Sequence, residues 1–127
     1  MLQEFRSFLF SPEFVSYLST LTGIALQPKK IDMSGTIYQD TDYLLCHDDQ
    51  LESRKVAYII YLSDLTPEEG GQLVFYNQKN GKPTTVAKSI IPRFNTFAFF
   101  LVSPQSFHTV EEVVGDTQRI ALTGWFY

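Results

Sequence analysis

Cysteine is nearly absent from this sequence, and its scarcity excludes two kinds of stabilisation. Cys46 is the single cysteine, so the chain can form neither an intramolecular disulfide nor a zinc site with several cysteine ligands. Such usage is typical of a reducing compartment, and we expect a cytoplasmic protein, or a nuclear one if the source is eukaryotic. Glu4 and Arg6 interrupt the apolar N-terminal stretch, which fits neither a signal peptide nor a membrane span. We therefore expect no membrane partner.

Basic residues are also in deficit. Ten Lys and Arg stand against fourteen Asp and Glu, which gives a formal net charge of −4. A protein that binds the phosphate backbone of nucleic acid by releasing counterions needs the opposite balance. The composition therefore argues against nucleic acid as a direct partner.

Aromatic residues, in contrast, are abundant. They make up 15% of the 127 residues, and each buried ring removes roughly 150–250 Å² of surface from water. A chain of this length corresponds to one domain. We therefore expect residues 1–127 to form a single domain with a large core.

Hydrophobic periodicity divides the chain into a helical part, residues 1–23, and a β part, residues 24–127. Ser11 and Gly23 suit the N-cap and the C-terminal end of the second helix. The β part holds segments rich in β-branched and aromatic residues, which predict strands over 31–38, 43–46, 55–62, 72–76, 84–91, 96–101, 107–113 and 119–127. This mainly β pattern (α+β) is typical of a sandwich or barrel, with Asn80-Gly81 and Gly115-Asp116 each closing a hairpin.

The two histidines occupy positions that suit a shared metal ion. His47 and Asp49 form a His-x-Asp triplet at the end of a predicted strand, and in extended chain residues i and i+2 share a face. His108 lies within a later predicted strand. Two histidines and one carboxylate form the facial triad of non-haem Fe(II) oxygenases. The triplet alone is weak evidence, because Asp48-Asp49 also fits a solvated turn.

Arg119 strengthens the metal hypothesis. It lies in the last predicted strand among apolar and small neighbours, a poor setting for an unpaired arginine. A buried guanidinium needs an anion, and its planar fork matches a carboxylate. The combination therefore favours a metal site with a carboxylate-binding arginine nearby.

In this pattern the sequence resembles the 2-oxoglutarate and Fe(II)-dependent oxygenases. The resemblance is strongest for the prolyl hydroxylases that modify a protein of the small ribosomal subunit, and it is carried by YLLCHDD at 43–49, RKVAYIIYL at 54–62, GGQL at 70–73, VSPQSFH at 102–108 and GWF at 124–126. It implies a double-stranded β-helix, a jelly-roll or cupin-like fold, with the N-terminal helices packed on one sheet.

The resemblance also implies roles for particular residues. His47, Asp49 and His108 would hold the iron, and Arg119 would pair with the distal carboxylate of 2-oxoglutarate.

Further positions follow from the same comparison. Tyr38 and Tyr61 match tyrosines of the co-substrate pocket, although packing in the core is an equal alternative for each. We expect Cys46 to be a small core residue. Trp125 shares parity with Arg119 along the strand and could wall the pocket, but core filling is the favoured interpretation. Ala121 departs from the family, in which many members place Ser or Thr two residues after the arginine; a lost hydrogen bond there would cost roughly 0.5–1.5 kcal/mol.

The implied reaction is hydroxylation of a proline in a protein or peptide, using O₂ and converting 2-oxoglutarate to succinate and CO₂, with ascorbate as a supporting reductant. The substrate would be a basic protein such as a small-subunit ribosomal protein. Acidic residues near the metal-binding turn agree with a basic substrate but equally fit ordinary solvated turns: Asp40, Asp42, Asp48, Asp49 and Glu52. The alternatives are an oxygenase of a free amino acid, small molecule or alkylated base, and a non-catalytic cupin-like domain that binds a metal or ligand.

Overall fold

The computed structural model describes residues 1–51 and 53–127, so Glu52 of the acidic stretch lies outside the described residues. Two helices precede the strands, as the periodicity predicts: α1 is Leu2–Leu9 and α2 is Pro12–Thr22. Among the described residues there are eight strands, β1 (Ser34–Tyr38), β2 (Leu44–His47), β3 (Val56–Tyr61), β4 (Leu73–Lys79), β5 (Lys82–Ile90), β6 (Thr96–Leu101), β7 (His108–Val110) and β8 (Arg119–Phe126). A single 3₁₀ turn is described between β3 and β4, at Pro67–Glu69.

The strands form two antiparallel sheets that face each other. The order is β1-β8-β3-β6 in the first sheet and β2-β7-β4-β5 in the second. Apart from the β4–β5 hairpin, successive strands alternate between the sheets. This alternation is the double-stranded β-helix that the resemblance implies, so the predicted fold is confirmed.

The helices cover the outer face of the first sheet. Leu9 and Leu18 share a buried cluster with Val56, Tyr58 and Ile60 of β3. The alternate residues of the same strand point the other way, because successive side chains of a strand face opposite sides of the sheet. Strand β3 therefore presents one face to the helices and the other to the space between the sheets, as expected for helices packed on one sheet.

Local signals place the ends of these elements. The Ser11 hydroxyl accepts a hydrogen bond from the Phe14 N–H at 3.2 Å, and Gly23 ends α2 with a left-handed φ of 71°. Asn80 and Gly81 have φ values of 54° and 70° in the β4–β5 turn, the conformation that a tight hairpin requires. No helix within the described part of the chain is long and apolar enough to cross a membrane.

Two predictions about the strands are wrong. Gly115-Asp116 closes no hairpin, because β7 and β8 belong to different sheets and the segment between them crosses from one sheet to the other. Cys46 is exposed rather than a core residue. The reason is that Cys46 lies in β2, an edge strand of the second sheet, whereas the helices cover the first sheet.

Candidate active site

A cavity of about 300 Å³ lies between the two sheets. Its wall combines apolar side chains with a small number of polar ones, as ligand sites commonly do. The lining includes Tyr38, Leu44, His47, Asp49, Ile59, Leu73, Phe100, His108, Val110, Arg119, Thr123 and Trp125. Five of the six residues that the sequence places in the site therefore line one cavity.

The two histidines meet because their strands are paired. His47 at the end of β2 lies directly opposite His108 at the start of β7. The ring centroids are 4.2 Å apart. Residues 61 positions apart in the sequence thus become neighbours through the register of one strand pair.

Asp49 reaches the histidines by a different route from the one that strand alternation predicts. It lies beyond the end of β2 and has a φ of 64°, so the chain turns here instead of remaining extended. Its carboxylate oxygens lie 3.2 Å from His47 Nε2 and 3.5 Å from His108 Nε2. The three residues offer ligand atoms that all lie within 4.8 Å of one another.

Backbone carbonyls orient both imidazoles. His47 Nδ1 donates to the Leu45 carbonyl and His108 Nδ1 donates to the Ser106 carbonyl, each at 2.7 Å. A carbonyl oxygen can only accept, so the proton of each neutral ring lies on Nδ1 and Nε2 keeps its lone pair. Such outer hydrogen bonds are typical of metal-ligating histidines, and two imidazoles with one carboxylate suit Fe(II).

The charges at this end of the cavity also suit a cation. When His47 is protonated, its Nε2–H can donate to Asp49, and this raises the pKa of His47, whereas burial lowers the pKa of His108. Burial favours the neutral form of Asp49, but the two histidines outweigh burial and hold the pKa of Asp49 below its ordinary value. Asp49 is therefore a buried carboxylate in its charged form.

Arg119 lies at the other end of the cavity. It is 1% exposed, and its Nε donates to the Gly71 carbonyl at 2.8 Å. Burial lowers the pKa of Arg119, but a guanidinium remains charged in proteins. Its Nη2 is buried and has no hydrogen-bond partner among residues 1–51 and 53–127. A buried, charged donor without a partner is costly, and an organic carboxylate would satisfy it.

The two predicted tyrosines flank this guanidinium. The Arg119 Cζ lies 5.3 Å from the centroid of the Tyr38 ring and 5.2 Å from that of Tyr61. Tyr38 lines the cavity, whereas Tyr61 is fully buried behind it. The Tyr61 hydroxyl also has no partner within the described chain. Burial raises the pKa of Tyr61, so its hydroxyl stays protonated and can donate to an anion.

Gly71 allows the guanidinium to pack close to the backbone. It has a φ of 65°, which glycine adopts without strain. A Cβ at this position would lie 3.1 Å from Arg119 Cδ and 2.9 Å from a Leu65 methyl carbon. The site therefore needs glycine here, and GGQL at 70–73 is the signal in the sequence that marks this position.

Trp125 lines the cavity, so the prediction that it fills the core is wrong. Side chains alternate along β8, so Trp125 lies on the same strand face as Arg119 and Thr123. Its size and apolar character favour the core, but its position on this face decides where it lies. Arg54 stacks on its ring with Cζ 3.5 Å from the centroid. Sequence reasoning gave Arg54 no role, and nothing in its spacing marks it.

The residues of the acidic stretch differ in their contacts. Asp40 and Asp42 accept hydrogen bonds from the backbone N–H groups of Gly115 and Gln39, and Asp48 accepts from the Gln50 side chain. These contacts are those of ordinary turn residues. Asp40 and Asp42 precede β2, whereas His47 is the last residue of that strand and Asp48 and Asp49 follow it. Asp48 and Asp49 therefore place negative charge beside the two histidines, whereas Asp40 and Asp42 make turn contacts.

Comparison with known proteins identifies the family. The model of the 2OG-Fe(II) oxygenase superfamily matches residues 33–127. Prolyl 3-hydroxylase OGFOD1 of Xenopus laevis is 43% identical over 129 residues, covering 99% of this chain and 25% of that protein. The Mus musculus protein of the same name is 45% identical over 125 residues, covering 96% of this chain and 23% of the other. The chain thus spans about a quarter of these curated relatives.

Solved structures show the same fold. A Pseudomonas putida prolyl-4-hydroxylase superimposes with a TM-score of 0.69 at 21% identity, covering 90% of this chain and 59% of that one. A Trichoplax adhaerens prolyl hydroxylase in complex with a hypoxia inducible factor peptide gives 0.64 at 21% identity, covering 91% and 55%. The family match confirms the predicted resemblance to the oxygenases that use Fe(II) and 2-oxoglutarate. The chain belongs to the 2OG-Fe(II) oxygenase superfamily.

Proposed function

We propose that this chain is the catalytic domain of a prolyl hydroxylase. The observation that carries the proposal is the pairing of two features in one cavity. His47, Asp49 and His108 converge at one end, and Arg119 with an unpartnered Nη2 lies at the other. A metal-binding domain without turnover has no use for a buried carboxylate clamp, so the second feature favours an enzyme.

Each group has a distinct task in this proposal. His47, Asp49 and His108 hold Fe(II), which with 2-oxoglutarate and O₂ supplies the oxidising power to hydroxylate an unactivated C–H bond, leaving succinate and CO₂. Arg119 holds the distal carboxylate of 2-oxoglutarate, with the Tyr61 hydroxyl as a second donor. Both donors are buried, so their hydrogen bonds compete little with water.

Apolar side chains complete the cavity. Ile59, Leu73, Phe100 and Val110 line it between the two polar ends. They exclude water and offer few polar groups to a reactive species. The lining thereby favours oxidation of the substrate over side reactions.

The choice of proline rests on the relatives. Two curated proteins at 43% and 45% identity are named prolyl 3-hydroxylases. A basic protein, such as one of the small ribosomal subunit, remains the proposed substrate, with ascorbate as supporting reductant and the cytoplasm as location. The negative charge of Asp48 and Asp49 beside the histidines agrees with a basic substrate, and the turn contacts of Asp40 and Asp42 fit ordinary solvated turns equally well.

Succinate release tests the proposal. The protein is supplied with Fe(II), 2-oxoglutarate, ascorbate and O₂, together with a lysine-rich peptide that contains one proline. We expect the peptide to stimulate succinate release and to gain one oxygen atom by mass spectrometry. A matched peptide with alanine in place of that proline should do neither. Equal stimulation by both peptides would reject proline as the target, and no stimulation by any of a set of proline peptides would reject the prolyl hydroxylase assignment.

A further inference from the structure

Ser106 connects the two chain segments that carry the metal ligands. It is 7% exposed and lies two residues before His108. Its hydroxyl lies 2.7 Å from the carbonyl oxygen of Asp48, which is 58 positions away in the sequence. Asp48 stands between His47 and Asp49. One buried hydroxyl therefore links the segment that precedes His108 to the segment that holds the other two ligands.

The same hydroxyl also anchors its own turn. It accepts the Ser103 N–H at 3.0 Å and lies 2.8 Å from the Ser103 carbonyl oxygen. A hydroxyl has one proton to donate, so Asp48 and Ser103 share it. The bond to Asp48 is the one that leaves the turn and crosses to the other ligand segment.

The position of this bond matters because of the conformation of Asp49. The Asp48 carbonyl belongs to the peptide group that immediately precedes Asp49, and holding that carbonyl fixes the peptide plane. Asp49 itself has a φ of 64°, in the left-handed region. Most non-glycine residues pay roughly 1–2 kcal/mol to adopt it; aspartate pays less than most, so its surroundings need supply only part of that cost. This conformation directs the Asp49 carboxylate towards both histidines.

We propose that Ser106 is a positioning residue for the metal centre: its hydroxyl holds the peptide before Asp49 so that the carboxylate meets His47 and His108 at one point. The inference rests on the proposed function, since it concerns the same metal site. Ser106 acts on the ion through Asp49 and is not itself a ligand. Outer partners of this kind typically change metal affinity by 10- to 100-fold.

Binding of Ni(II) to untagged, metal-free protein tests the proposal without any turnover. Ni(II) is redox-stable and binds imidazole and carboxylate sites more tightly than Fe(II). We expect Ser106→Ala to weaken the Ni(II) dissociation constant by roughly tenfold or more. Alanine keeps the backbone carbonyl that accepts from His108 Nδ1, so this substitution removes the hydroxyl alone. Ser106→Thr, which retains the hydroxyl, should restore tight binding.

Ser103→Ala is the matched control from the same turn. The Ser103 hydroxyl accepts the Gln105 N–H at 3.1 Å, a bond that stays within the turn. We expect Ni(II) affinity to be unchanged in this variant. An equal loss in Ser103→Ala and Ser106→Ala would show that the turn as a whole matters and would overturn the specific role of Ser106.

A double-mutant cycle separates positioning from a general structural role. In an Asp49→Ala background, Ser106→Ala should weaken Ni(II) binding no further, because the group that it positions is gone. The same fold loss in both backgrounds would overturn the proposal. The proposed metal centre is checked separately: if His108→Ala binds Ni(II) like the parent, that centre is wrong. If His108→Ala loses binding while Ser106→Ala does not, the inference about Ser106 alone fails.

Discussion

The two ends of the cavity are constructed differently. At the metal end, His47 and His108 lie at strand ends and Asp49 lies in a turn with a left-handed φ. At the anion end, Arg119 lies in β8 directly opposite Tyr38 of β1, and the same strand pairs with β3 on its other side. The His47 side chain is 33% exposed, whereas Arg119 is 1% exposed.

This contrast indicates that different interactions position the side chains at the two ends. The metal end depends on the β2–β7 register for its two histidines and, for Asp49, on hydrogen bonds between turns, such as the bond from Ser106 to Asp48. The anion end depends on the register of a paired sheet and on the Gly71 carbonyl. We therefore expect substitutions at one end to alter the binding of one ligand and largely spare the other.

Loss of His108 should have the largest effect. His108→Ala removes one of three metal ligands, and we expect Ni(II) affinity to fall by more than about 100-fold, beyond the range typical of outer partners. Calorimetric titration of the metal-free protein measures this loss. Retention of parental affinity would remove His108 from the site.

Loss of Arg119 should weaken the binding of 2-oxoglutarate and spare the binding of the metal. Arg119→Ala removes the buried charge that would hold a carboxylate, and truncating such a pair costs roughly 2–5 kcal/mol. We expect the dissociation constant of 2-oxoglutarate, measured on Ni(II)-loaded protein, to rise about 30-fold or more. The affinity for Ni(II) itself should stay within about twofold. A loss of Ni(II) affinity as large as that of 2-oxoglutarate would break the separation of the two ends.

The tyrosine hydroxyls sharpen the comparison within the anion end. Tyr61→Phe removes a buried hydroxyl that lacks a partner in the described chain. If that hydroxyl donates to the co-substrate carboxylate, its loss should weaken 2-oxoglutarate binding by roughly tenfold, as for a hydrogen bond to a charged group. Unchanged binding would leave Tyr61 as a packing residue. Tyr38 lines the cavity, and the 2-oxoglutarate affinity of Tyr38→Phe shows in the same way whether the Tyr38 hydroxyl donates to the co-substrate.

The smallest effect is expected from the backbone beside Arg119. Gly71→Ala places a Cβ 3.1 Å from Arg119 Cδ at a φ of 65°. We expect a stability loss of roughly 1–3 kcal/mol from the strained backbone, together with weaker 2-oxoglutarate binding and unchanged Ni(II) affinity. Gly81→Ala is the matched control, since Gly81 has a φ of 70° but no atom within 4 Å of the added Cβ. It should lose stability without losing 2-oxoglutarate affinity, and an equal loss of affinity in both variants would refute the role of Gly71.

Much of the fold could be predicted from the sequence because its signals are local. The Ser11 N-cap, the Gly23 C-cap and the Asn80-Gly81 turn depend on residues within a few positions. Strand existence likewise follows from short runs of β-branched and aromatic residues. The hairpin predicted at Gly115-Asp116 is wrong because the same turn residues occur in hairpins and in connections that cross to another sheet.

Part of the candidate site could be predicted because residue type and strand alternation are also local signals. The two histidines, and an arginine among apolar and small neighbours, point to chemistry by their types, and alternation along β8 places Arg119 and Trp125 on one face. The turn at Asp49 could not be predicted in this way, because Asp49 lies beyond the end of β2 and strand alternation no longer applies there. Ser106 escaped as well, because its partner lies 58 residues away.

By itself the sequence determined the order of helices and strands, the family pattern and the residue types available to the site. The tertiary structure alone decided that β2 is an uncovered edge strand exposing Cys46, and that the Ser106 hydroxyl reaches the peptide before Asp49. It also decided that Nη2 of Arg119 and the Tyr61 hydroxyl are buried without partners. The physical reason is that caps, turns and alternation act between near neighbours, whereas burial and cross-strand contacts depend on how distant segments pack.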